Sequence, residues 1–216
     1  MNFFGIQLEN RSRAEILTRV EQALSRGEKL RIMTVNPEFL LEARRNARFR
    51  ESLKNADLRI VDGFGIVAVA KVLGEKLTRF PGADLLPLLL QKAEVKNIPV
   101  YLAMSSEGLS SFEAVREALL KKYPNLSIFS LTTGFLPPEK SFVLSNYGAP
   151  LQEYFLDQLP GGGVRMGVGG SFDYLTAPCR GLQRSYVHWV WSGSGGSCSS
   201  PSASSAFGMR LFCFPS

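Results

Sequence analysis

Between Ser12 and Val168 the apolar residues switch repeatedly between helical spacing and short continuous runs, and that alternation leaves few folds open. Ser12 followed by Glu15 makes a capping box. Ile16, Leu17, Val20, Ala23 and Leu24 continue at helical spacing, which predicts an amphipathic helix to about Arg26. Leu30 to Val35 reads as a buried strand, and Pro37 to Arg48 as a helix whose early proline costs little. Leu58 to Val61 is a second strand, ending at Asp62-Gly63. Phe64 to Leu73 and Ala83 to Glu94 read as helices and Ile98 to Ala103 as a strand. Leu109, Phe112, Val115 and Leu119 mark another helix face before the strand-like runs Leu126 to Leu131, Phe142 to Ser145 and Val164 to Val168. Strand and helix in turn predict the α/β class, a mostly parallel sheet with helices on both faces.

Two places break the alternation. Only ten residues separate Leu131 from Phe142, whereas a crossover between parallel strands ordinarily takes a dozen or more and a helix. Either this pair is antiparallel or a helix is missing, and the second choice implies an in-frame loss of about fifteen residues. The other break is the segment Pro178 to Ser216, which has no Asp, Glu or Lys and holds every Cys, both Trp and the only His. It carries neither period, so an irregular C-terminal tail is expected.

A formal charge of +6 suits a polyanion such as nucleic acid, anionic lipid or a diphosphate, without choosing among them. No apolar run reaches membrane-spanning length, and Met1 to Arg13 lacks the order of a signal peptide, so a cytoplasmic location is expected. Cys179, Cys198, Cys213 and His188 are too scattered for a zinc site, and no metal is expected.

In an open parallel sheet, ligands bind outside the carboxyl ends of the strands. The polar residues there are Thr34 and Asn36, then Asp62, then Gly169, Gly170 and Asp173. Asp62 beside two glycines suits a general base, but strand–Asp–Gly–helix is equally the pattern of a helix cap. Thr34 and Asn36 can donate to a sugar or phosphate, or cap the helix from Pro37. Arg79, in an interhelical loop, can hold a diphosphate or be merely solvated, and Gly169-Gly170 can present amides to a phosphate or simply turn the chain.

Taken in order, TVNPEFLLEAR, ADLRIVDGFGIV, TRFPGADLLP, YGAPLQE and GVGGSFDYL resemble the WecG/TagA/CpsF family of bacterial glycosyltransferases. The resemblance covers Met1 to about Thr176. It implies a Rossmann-like α/β domain. It also implies inverting, metal-independent transfer of an N-acetylmannosamine-type sugar from a UDP donor to N-acetylglucosamine on undecaprenyl diphosphate, in teichoic acid or surface polysaccharide synthesis. Carried over by motif, Asp62 is the general base, while Thr34, Asn36, Arg79 and Gln152 fall in the substrate pocket. Gly169, Gly170 and Asp173 are expected to help hold the nucleotide. No cofactor and no nucleic-acid partner are implied, the protein would be peripheral to the inner face of the cell membrane, and a homo-oligomer is left open. The alternative is a non-catalytic nucleotide- or polyanion-binding α/β protein.

Members of that family continue after GSFDYL with a basic amphipathic segment that docks on the membrane and closes the site. Here Ala177 is followed by PCRGLQRSYVHWVWSGSGGSCSSP. Permitted codons for that stretch, read from the third base of each, can encode VPRAPKVIRALGLEWLWRLLLEP, which has the family pattern. The expected organisation is therefore a catalytic domain over residues 1–177 and an out-of-frame, disordered or irregular tail over 178–216, with activity impaired and membrane affinity weak.

Overall fold

The computed structural model describes residues 1–104, 110–131, 136–146 and 149–176. Leu109, the Asp173 side chain and the 178–216 tail lie outside the described residues, so the expectations for them stand as they were. The chain opens with a small antiparallel hairpin of β1 (Asn2–Phe3) and β2 (Ile6–Gln7), then α1 (Arg13–Arg26) and β3 (Lys29–Val35). Next come α2 (Pro37–Arg45), α3 (Ala47–Lys54), β4 (Leu58–Val61), α4 (Phe64–Val72), α5 (Gly82–Val95) and β5 (Val100–Ala103). α6 (Phe112–Lys122), β6 (Ile128–Ser130), β7 (Phe142–Ser145), α7 (Leu151–Gln158) and β8 (Gly163–Gly167) follow, and a 3-10 turn (Gly169–Ser171) leads into α8 (Asp173–Thr176).

The six longer strands form one sheet, all parallel, in the order β4-β3-β8-β7-β5-β6. Residues alternate between its faces. Leu30 and Ile32 of β3, Phe142 and Leu144 of β7, and Val164 and Met166 of β8 join the core under α1, α5 and α6. Met33 and Val35 point the other way, against Leu40, Ala43, Phe49 and Leu53 of α2 and α3. Tyr101 and Val143 on that same face pack against Leu156 and Leu159 at the end of α7. The result is the expected Rossmann-like sandwich with a helical layer on each face.

The predicted capping box is present: the Glu15 N–H donates to Ser12 Oγ at 3.2 Å and the Ser12 N–H to Glu15 Oε2 at 2.7 Å. The single helix read over Pro37 to Arg48 is two. Asn46 leaves the helical region and its side chain accepts from the Phe49 N–H at 3.0 Å, so it ends α2 and caps α3 in one residue.

Antiparallel pairing after Leu131 is ruled out, because β7 runs parallel to both of its neighbours, β5 and β8. β6 and β7 flank β5 and never touch, so the link must return along β7 and step across two strand spacings. That is roughly 13 Å by 10 Å, well inside the roughly 36 Å reach of eleven extended residues. Two very short strands thus make the crossover feasible without the usual helix, and among the described residues of the link there is none.

One polar pair lies under the α3–α7 layer. Arg31 and Arg165 are register partners on β3 and β8, and both are buried. Arg31 donates to Ser52 Oγ at 2.9 Å and to the Glu153 carbonyl at 3.2 Å, and pairs with Asp157 at 3.1 Å. Arg165 donates to the carbonyls that end α7, those of Leu156, Leu159, Pro160, Gly161 and Gly162. Helix C-termini leave such carbonyls unsatisfied and bear partial negative charge, so a buried cation there is well placed. Burial pulls its guanidinium down to about 10, still protonated at neutral pH. Arg165→Leu strands those carbonyls, and should destabilise the fold by about 3 kcal/mol or more in urea titrations. A loss below about 1 kcal/mol would mean that water satisfies them equally well.

Candidate active site

At the carboxyl edge of the sheet at most two residues separate α2 and α4 from the ends of β3 and β4, and α7 is the next helix after β7, so several helix N-termini gather there. Asp62 follows β4, and its N–H extends the ladder by donating to the Val35 carbonyl at 2.9 Å. Its carboxylate does not cap α4, whose N-cap is Gly63 with no side-chain bond. It accepts instead from the Gly82 N–H, at the start of α5, at 3.3 Å. Arg79 donates through Nε to the Asp62 carbonyl at 2.6 Å and holds Nη2 4.0 Å from the carboxylate. Anchored at one nitrogen, the guanidinium leaves its outer N–H groups at the surface, where an anion can meet them.

Burial raises the proton affinity of Asp62. The Gly82 N–H and Arg79 oppose the rise, and the carboxylates of Asp84 and Glu38 add to it. A shielded carboxylate with elevated proton affinity is a better base than an exposed one.

Thr34, next to last in β3, lies against Gly82, and so on the same side as Asp62. Asn36 does cap: its Oδ1 accepts from the Phe39 N–H at 2.8 Å, which leaves only its amide N–H groups for a ligand. Gly63 is fixed by space, since a Cβ there would overlap the Pro37 ring. Thr34, Asn36, Asp62 and Arg79 therefore form one cluster at the β3–β4 end.

Gln152 is not in that cluster. It is buried in the first turn of α7, behind Gly167, on the opposite side of the sheet, and its Nε2 donates to Glu153 Oε1 at 3.2 Å. A Cβ at Gly167 would meet both side chains. Gly169 and Gly170 form the 3-10 turn just beyond β8, and Asp173 begins α8.

Sequence reading overlooked Gly82, Ser145, Asn146 and Glu153. Gly82 sits in the RFPG segment, but nothing in residue type announces that its N–H meets Asp62. Ser145 Oγ, Asn146 Oδ1, Gln152 Oε1 and Glu153 Oε2 are buried without a hydrogen-bond partner among the described residues, all close to the carboxyl ends of β7 and β8. Such atoms need a water or a ligand hydroxyl.

The sequence itself decides the kinship. A model of the "Glycosyl transferase WecG/TagA/CpsF family" matches residues 1–191. The chain belongs to this family. The match carries past Ala177 into the segment whose composition changes. A Bacillus spizizenii protein named N-acetylglucosaminyldiphosphoundecaprenol N-acetyl-beta-D-mannosaminyltransferase is 31% identical over 177 residues, 74% of this chain and 68% of that one. Staphylococcus aureus proteins of the same name are 26% identical over 191 residues, covering 80% of this chain and 74% of theirs. The cluster at Asp62 is thus the candidate active site of a glycosyltransferase.

Burial raises Glu153 from 4.5 to about 7, against the pull of Arg31 and the Gln152 hydrogen bond. Between those values the unfolded carboxyl loses its proton while the folded one keeps it, so stability falls as pH rises through this window and levels off above about 7. Glu153→Gln, which cannot ionise, should remove that slope. Melting curves from pH 4.5 to 8 should show the variant gaining on the parent as pH rises, and parallel curves would mean that folding leaves the proton affinity of Glu153 unchanged.

Proposed function

We propose that this chain, like its named relatives, is built to transfer an N-acetylmannosamine-type sugar to N-acetylglucosamine on undecaprenyl diphosphate, with UDP as the leaving group. The reaction is inverting and independent of metal. The observation that carries this reading is Asp62: a carboxyl made more basic by burial, at the end of a strand, beside an arginine anchored through its Nε. Asp62 takes the proton of the acceptor hydroxyl as the oxygen attacks the anomeric carbon from the face opposite the departing diphosphate, which inverts that centre. Arg79 meets the negative charge growing on the diphosphate, work that a metal performs elsewhere. Thr34 and the Asn36 amide orient the substrate, and the Gly169-Gly170 turn and Asp173 hold the nucleotide; Gln152, buried behind Gly167, acts on the pocket only through that strand end.

On this reading residues 1–177 are the catalytic unit, held peripherally at the inner face of the membrane, and 178–216 are out of frame. Donor binding then survives better than turnover in the chain as it stands. Resequencing codons 130 to 180 tests the frame directly.

Calorimetry with UDP should show binding in EDTA, weakened at least tenfold by Arg79→Ala through loss of a charge-assisted contact. Asp62→Asn should leave that affinity nearly unchanged. With the C-terminal segment restored to the alternative frame and the link after Leu131 lengthened, Asp62→Asn should lower turnover by roughly a hundredfold or more, because the amide keeps the shape and cannot take the proton. Normal turnover by Asp62→Asn, or an unfolded variant, would leave Asp62 a structural residue and the reading without its base.

A further inference from the structure

α4 departs from the pattern of the other helices. Its inner face, Ile66 and Ala70, is buried in the core, as expected for a covering helix. Its outer face is apolar too: Phe64, Val69 and Val72 are 74%, 47% and 86% exposed, Leu73 just beyond is 64% exposed, and Ala68 lies between them on the surface. A helix that is apolar all round belongs where both faces are covered, and a continuous exposed patch marks a contact surface.

Position and charge say what covers it. Phe64 is two residues beyond Asp62, so the patch begins at the mouth of the site. The exposed charges on and just after the helix are Lys71, Glu75, Lys76 and Arg79, three bases to one acid. Basic residues rimming an apolar helical face are the signature of an element that lies in an anionic interface. No helix among the described residues is long and apolar enough to cross a membrane, so any bilayer contact they make is at the surface. The inference rests on the function proposed above. An acceptor whose polyprenyl chain stays in the bilayer can present its sugar only to a site held against that surface.

We propose that the outer face of α4 is a membrane-docking surface, which lays Phe64, Val69, Val72 and Leu73 into an anionic interface and brings Asp62 to the headgroup level. This is an element additional to the C-terminal segment, to which the family resemblance assigned the membrane contact.

The test uses the full chain and vesicles of phosphatidylglycerol and phosphatidylcholine that contain no undecaprenyl lipid. Binding should be measurable in low salt and weaken as salt rises, because Lys71 and Lys76 contribute. Val72→Glu should lower the affinity roughly tenfold or more, and Val72→Trp should raise it, since Trp favours the interface. Both should melt with the parent protein, because Val72 packs against little. Vesicle affinity that neither substitution moves, or no binding by the parent, would overturn the proposal. So would a Val72→Glu variant that alters only the oligomeric state, which would make the face an interface between copies of the chain. UDP calorimetry on the same variants keeps the two readings apart: it should be unaffected by Val72, and its failure in the parent would sink the proposed reaction without touching vesicle binding.

Discussion

Two guanidinium groups of like charge lie side by side under one face of the sheet, and much of that face is arranged to make their burial tolerable. Arg31 and Arg165 are register partners, so neither can move away from the other without slipping a strand. Their repulsion is met by separate solutions. Arg31 takes a carboxylate, Asp157, with a hydroxyl and a backbone carbonyl. Arg165 takes the carbonyl end of a whole helix. Both solutions run through α7, whose position is thereby fixed from its last turn by one arginine and along its flank by the other. Because Gln152 and Glu153 stand in the first turn of the same helix, and the Glu153 carbonyl itself accepts from Arg31, the arginines also fix the buried polar pair behind Gly167.

Segments far apart in the chain meet in pairs at the carboxyl edge. Gly63 of VDGFG rests on Pro37 of TVNPE, Gly82 of RFPG on Thr34, and Gly167 at the head of GVGG on Gln152 and Glu153 of GAPLQE. At Gly63 and Gly167 any side chain would displace its neighbour. Each motif is therefore half of a fitted joint, which is why the ordered set points to a family where no single segment does.

The layered α/β architecture was legible because burial on both faces of a parallel sheet forces the alternation of apolar patterns on the chain. Asp62, Thr34, Asn36 and Arg79 were legible as candidates from position after a strand and from the resemblance, and the fold gathers them at one end. The split at Asn46 was hidden because an asparagine in a helical run reads as a tolerated interior residue until its side chain is seen to cap. The parallel course of β7 was left open because sequence shows link length but not strand order, and strands of three and four residues need little chain to be retraced. The burial of Gln152 and Glu153 was hidden for a third reason: two consecutive polar residues in a first helical turn ordinarily face water, and only the absence of a side chain at Gly167 makes room for them inside.

Among the described residues β8 is the last strand of the sheet in sequence, yet it lies between β3 and β7. During synthesis the chain therefore carries two open strand edges until Gly163–Gly167 has been made, with some 130 residues of nascent polypeptide separating β3 from the segment that will pair with it. Open edges of apolar strands are templates for pairing with other chains, and contacts this distant in sequence form slowly. Such a nascent chain is best kept apart from its neighbours until the final strand arrives and closes both edges.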